Sequence, residues 1–296
     1  MSDRGEVKIA AGLLSGLTQS LLYNPWDRAL YLSVKEDRAF LSRANFRHPW
    51  RGASSSLFHR AASSGMYWPL VEQLLPYARS ALGGRAPGAM RTLASDGAGA
   101  RETAAMLLAG NGAGALNGIA LNWVSATKYR MWGEPERRGG GYGATFWPTI
   151  RRMWRNGGLR PFLMGLGPTV ARDAIFGGVF MGTRHAFRTL LFAQRESGLG
   201  ESLALSLVAG VCATTASAPL NYARNMQFAT PSTRPARSTL ALLRQLLRDA
   251  RGEDRPWRFL QRRLRVGWGT ARVAVGMASG FELYALYRRL LRGAAA

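Results

Sequence analysis

Gly110-Asn-Gly-Ala-Gly114-Ala-Leu-Asn-Gly118-Ile-Ala-Leu-Asn-Trp123-Val-Ser125 is the stretch on which the fold turns. Its glycines at 110, 114 and 118 stand four residues apart, on one face of a helix. The lack of bulk there lets a second backbone approach closely. The same ladder recurs at Gly12, Gly16 and Ser20, and again at Ser206, Gly210 and Thr214. Nine residues beyond each central glycine stand Pro25-Trp-Asp27, Trp123-Val-Ser125 and Pro219-Leu-Asn221. Bases follow at Lys128 and Arg130 in the second copy and at Arg224 in the third. The central glycines lie 98 and 96 residues apart. One GxxxG alone reads as a tolerated helix glycine. Three in register, with a common downstream motif, define a repeat.

Each copy then continues into a second helical segment. The first runs from Trp50-Arg51-Gly52 through His59-Arg60 to Gly65, the second from Phe162-Leu-Met-Gly165 through Arg172-Asp173 to Gly178. The third runs from Leu264-Arg265 through Arg272 to Gly276. This predicts an all-α chain with six long helices over 7–36, 52–80, 103–133, 165–193, 202–229 and 264–292. The whole of 1–296 forms one domain of three repeats, 7–80, 103–193 and 202–292. Apolar residues spaced along 146–155 and 239–247 predict a short amphipathic helix between the long ones of copies two and three. In copy one only 25 residues separate Asp27 from Gly52, against 40 from Ser125 to Gly165, so its short helix is truncated.

Composition narrows the functional classes. Lys and Arg outnumber Asp and Glu by 40 to 17, a net charge of +23, which asks for an anionic partner, nucleic acid or a lipid surface. The bases are dispersed beside apolar runs and form no nucleic-acid module, and a packed repeat explains the chain better, so no nucleic-acid partner is expected. Cys212 is the only cysteine, which excludes an internal disulfide and a cysteine zinc site. His48, His59 and His185 lack metal-ligand spacing. No nucleophile–base pair, phosphate loop or paired-carboxylate site stands out, so the chain is not expected to be an enzyme. Charges interrupt every long apolar run, so a hydropathy scan should find few spans, although helices lining a wet cavity need only one lipid-facing side. The start, Met1-Ser-Asp-Arg-Gly-Glu6, reads as neither a secretory signal nor a transit peptide.

The ladder, the Pro-x-Asp turn and the segment Gly158-Leu-Arg-Pro-Phe-Leu-Met-Gly165-Leu-Gly-Pro-Thr-Val-Ala-Arg172-Asp173 together resemble the mitochondrial carrier family, over residues 8–291. The resemblance implies a multi-pass protein of the mitochondrial inner membrane, with six transmembrane helices in three pseudo-symmetric pairs and short helices on the matrix side. It implies no cofactor, but bound cardiolipin: Trp50-Arg51-Gly52 looks like the family's lipid-contacting turn, and Gly165 keeps the glycine of that turn in copy two. A plain loop-to-helix junction is the simpler alternative there.

The family works by alternating access between two gates of acid–base pairs. In the matrix gate Asp27 faces Leu30 at its basic position, while copies two and three have Ser125 with Lys128 and Asn221 with Arg224. The family's pairing order leaves one bridge, Asp27–Lys128. In the cytoplasmic gate the corresponding residues are Glu72 with Leu75, His185 with Arg188, and Ala285 with Arg288, permitting only Glu72–Arg188. Between the gates, the resemblance aligns His59-Arg60, Arg172-Asp173 and Arg272-Val273 at the substrate level. Arg172 and Asp173 suit the carboxylate and ammonium of an amino acid, with Arg272 a second anion contact; equally, they can form an internal bridge. Two functions follow. One is a carrier of a small amino-acid-like or anionic solute. The other is a former carrier kept as a structural subunit of a large inner-membrane complex, such as a respiratory or ATP-synthase assembly.

Overall fold

The computed structural model describes residues 5–36, 38–83, 97–133, 145–192, 198–230 and 235–294. Residues 1–4, on which the reading of the N-terminus partly rests, and residue 193, the expected end of the fourth long helix, lie outside them. Among the described residues every regular element is helical.

The long helices are α1 (Gly5–Lys35), α2 (Ala53–Gly83), α3 (Gly97–Gly133), α6 (Leu166–Phe192), α7 (Leu199–Ala229) and α10 (Trp268–Ala294). Between them lie the short helices α4 (Phe146–Gly157), α5 (Arg160–Leu163), α8 (Thr239–Arg251) and α9 (Pro256–Arg263). In copy one a single 3₁₀ turn, Arg43–Phe46, stands where the other copies have a helix, as its shorter spacing predicts. The expected helices end within a few residues of those observed, with two additions. Both α5 and α9 begin on a proline within their first two positions, where a missing N–H costs nothing and the fixed φ starts a helix. A turn with positive φ at Arg265 and Gly267 follows α9, so α10 begins at Trp268, four beyond the expected 264.

The long helices form a closed ring: α1 packs on α2, α2 on α3, α3 on α6, α6 on α7, α7 on α10, and α10 back on α1. The ladders make the contacts within each pair. A side chain on Gly12 would strike the backbone of Ser64 and Gly65, and one on Gly16 the carbonyl of Arg60. Gly110 sits against Gly177 and Gly178, Gly114 against the carbonyl of Asp173, and Gly210 against the Cα of Ala274. Small residues thus face small residues across all three pairs, and the dispersion gained at this close approach holds each pair together.

The junctions into the even helices repeat as well. Gly52 and Gly165 both have φ +73°, and a Cβ on either would fall 2.8 Å from an aromatic ring, Trp132 on α3 and Phe228 on α7 respectively. Asn24 and Asn122, 98 residues apart, donate to carbonyls at these junctions: Asn24 Nδ2 to Pro49 at 2.8 Å, Asn122 Nδ2 to Phe162 at 2.7 Å. Those carbonyls precede the helix and have no ladder partner of their own.

Among the described residues two helices, Gly99–Trp132 and Leu199–Ala229, are long and apolar enough to cross a membrane. The outer surface is nonetheless studded with large apolar side chains, Leu13, Leu17 and Leu21 on α1, Leu116 and Ile119 on α3, Leu207 and Val211 on α7 among them. The lone Cys212 is exposed beside Val211.

Candidate functional site

The ring encloses a cavity of about 260 Å³. Six basic side chains line it, Arg60, Lys128, Arg172, Arg224, Arg265 and Arg272, against two acids, Asp27 and Asp173. The ladder contacts set their level. Gly16, Gly114 and Gly210 meet Ala61, Ala174 and Ala274 of the facing even helix. Each of these alanines lies two residues beyond His59, Arg172 and Arg272, so the three helices present those positions at equivalent heights.

Asp27 is the hub. Its Oδ2 accepts from Arg60 Nη2 at 2.7 Å and from Arg272 Nη2 at 2.8 Å, tying α1 to α2 and α10. Arg272 is only 1% exposed, and its guanidinium also lies 4.1 Å above the Tyr23 ring. Across the cavity Arg172 Nη1 donates to Asp173 Oδ1, and the Arg172 guanidinium covers the Phe176 ring one turn on. His59 Nε2 and Ser125 Oγ share a hydrogen bond of 2.9 Å between α2 and α3.

Residues 99–195, the second copy, match the family described as mitochondrial carrier protein. The second repeat is thus similar to the mitochondrial carrier family. Its members are transporters rather than enzymes, and proteins of the mitochondrial inner membrane. No curated protein matches the chain.

The residues expected in the two gates are arranged differently from what the sequence suggests. Asp27 pairs with Arg60 and Arg272, not with Lys128, so residues expected in two separate layers form one cluster. Lys128 instead lies 4.9 Å from the Trp132 ring and 5.7 Å from the Tyr129 ring. Arg224 Nη2 donates to Asn221 Oδ1 at 2.8 Å and to Tyr129 Oη at 3.3 Å. At the other end Glu72 takes Lys8 and, at 3.8 Å, Arg288, while Arg188 points outward and makes no ion pair among the described residues. Phe281 and Tyr284 of α10 pack on Trp68 of α2, which brings Arg288 to Glu72, whereas Arg188 is exposed.

Sequence reasoning missed an aromatic plug where charge pairs were sought. Tyr31 and Tyr129 pack edge to face at 4.9 Å, Tyr31 meets Trp132 at 5.8 Å, and Tyr129 stacks on Phe228 at 4.9 Å. Met153 of α4 and Phe162 of α5 join the same buried cluster. The signal was present: Tyr31 and Tyr129 share one repeat position, 98 residues apart, and Trp132 and Phe228 another, 96 apart. Lys8 had no such signal. Trp50 is 54% exposed at its junction, and Arg51 follows directly before Gly52.

Proposed function

We propose that the chain is a carrier that crosses the mitochondrial inner membrane with all six long helices and moves a small anionic solute by alternating access. The excess of six cavity bases over two acids supports this reading most directly. Asp27 and Asp173 offset only part of this charge, since the two acids are shared among Arg60, Arg172 and Arg272. A volume of about 260 Å³ suits a solute of a few heavy atoms better than a nucleotide. Arg172 and Arg272, with Arg60, are the proposed anion contacts, through charge-assisted hydrogen bonds of the kind guanidinium forms with carboxylates. An amino acid would need Asp173 released from Arg172, which favours a simple anion over a zwitterion. Cardiolipin is the proposed lipid partner at Trp50, Arg51 and Gly52, and no cofactor takes part.

Reconstituted into liposomes, the protein should take up radiolabelled small carboxylates, and Arg172→Ala should slow that uptake by about 10- to 100-fold at unchanged unfolding temperature. Undiminished uptake by the variant removes Arg172 from the site.

The aromatic plug favours a second reading. A gate sealed by ring packing rather than by exchangeable ion pairs suits a carrier fold retained as a structural subunit of a large inner-membrane complex. Gentle detergent extraction followed by native separation distinguishes the two. Migration near the 32.3 kDa of the chain plus detergent supports the carrier, and stoichiometric comigration with a much larger assembly supports the subunit.

A further inference from the structure

Lys128, Arg224 and Arg265 surround Tyr129 at the plugged end of the cavity, and none makes an ion pair among the described residues. Arg265 is the unexpected member. It occupies the junction position held by Gly52 and Gly165, seven residues before Arg272 as those glycines precede His59 and Arg172. Its φ is +60°, in the left-handed region where those glycines sit and where a side chain brings strain. The third repeat has therefore accepted an unfavourable backbone to carry a guanidinium at this point. That guanidinium lines the cavity within electrostatic range of Arg224, Tyr129 and Tyr31, with its Nε and Nη2 buried and without partners. Arg224 Nε is likewise buried without a partner. The acid in range, Asp27, already holds Arg60 and Arg272. Arg224 and Arg265, with buried donors that have no partner, stand beside Lys128 where the one acid in range is already shared by two other arginines, so a second anion would offset their burial.

We infer that Arg265, with Lys128 and Arg224, forms a second anion subsite on the cavity floor, and that the transported solute carries two separated anionic groups. One group takes the Arg172 and Arg272 level, the other the floor, with the Tyr129 hydroxyl available as a neutral donor beside it. Dicarboxylates, or carboxylates bearing a phosphate, have this chemistry; a monocarboxylate fills only half the site. The inference rests on the anion-carrier reading above and narrows its substrate class.

Arg265→Gly tests it without threatening the fold, since glycine is what the other two junctions have and it adopts φ +60° freely. Full-length protein purified in detergent would be titrated calorimetrically with succinate and with acetate. The wild type should bind succinate at least about tenfold more tightly than acetate. Arg265→Gly should unfold at the same temperature or higher, keep its acetate affinity, and lose the preference for succinate. A variant that keeps the preference overturns the floor subsite, as does a wild type that binds the two acids alike; in both cases the central anion site stands. A wild type that binds neither acid overturns the anion-carrier reading and the subsite with it.

Discussion

Asp27 gives one carboxylate oxygen to two guanidiniums, Arg60 and Arg272, and one of these is almost wholly enclosed. Removing that charge leaves Arg272 buried beside Arg60 with repulsion in place of a bridge, a change of about 3–5 kcal/mol for buried pairs. Asp27→Asn should therefore lower the thermal unfolding midpoint in detergent by several degrees, and Asp27→Glu by less. An unaltered midpoint in Asp27→Asn would mean that water, not Asp27, solvates the two arginines. At this scale the sequence was informative about level and poor about partnership. Positions 59, 172 and 272 were legible because the family resemblance aligns them at one level of the three even-numbered long helices. The partners of Asp27 were not, because they depend on how far an arginine stem extends between layers, and spacing along the chain carries no such length. Arg265 escaped for a different reason: its repeat position predicts glycine, and only the observed backbone angle marks the exception.

Among the elements, the ladder makes a differential prediction. Gly114 faces the carbonyl of Asp173, whereas Gly200, on α7, has nothing within 4 Å of a Cβ. Gly114→Ala should push α3 from α6 and cost about 1–3 kcal/mol. Gly200→Ala should be neutral or raise stability by up to about 1 kcal/mol. Parallel thermal melts decide it, and equal effects in the two variants would remove the ladder as the determinant of pairing. The long helices were legible because the small-residue ladder and the motif nine residues beyond its central glycine repeat, and three weak signals in register make a strong one. Short helices α5 and α9 were not, being stretches of 4 and 8 residues begun by a proline and too brief for a periodic pattern. The aromatic plug is built from residues of α1, α3 and α7, which meet only because the ring closes, and a search for charge pairs passes over it.

For the molecule as a whole, the leucines and valines on the outside of the ring leave an apolar jacket with no protein partner of its own. Alkaline carbonate washing of membranes should leave the protein in the pellet, with release only by detergent; recovery in the carbonate supernatant would contradict a membrane-spanning bundle. The seam between α10 and α1 is unlike the contact within a pair. Where α3 meets α6 through glycines, this seam is stitched by directional bonds: Ser15 Oγ to the Gly280 carbonyl at 3.0 Å, Thr18 to Tyr287 at 2.9 Å, Tyr23 to Ser279 at 3.0 Å, and Arg272 to Asp27. These partners are the most distant in sequence, so they meet last. During synthesis the Ser15 and Tyr23 hydroxyls of α1 wait for their α10 partners while more than 230 residues are still to come. A nascent chain in that state is poorly matched to a hydrocarbon surrounding. The first helix therefore has to be sheltered, in water or against an insertion partner, until the last one arrives to complete it.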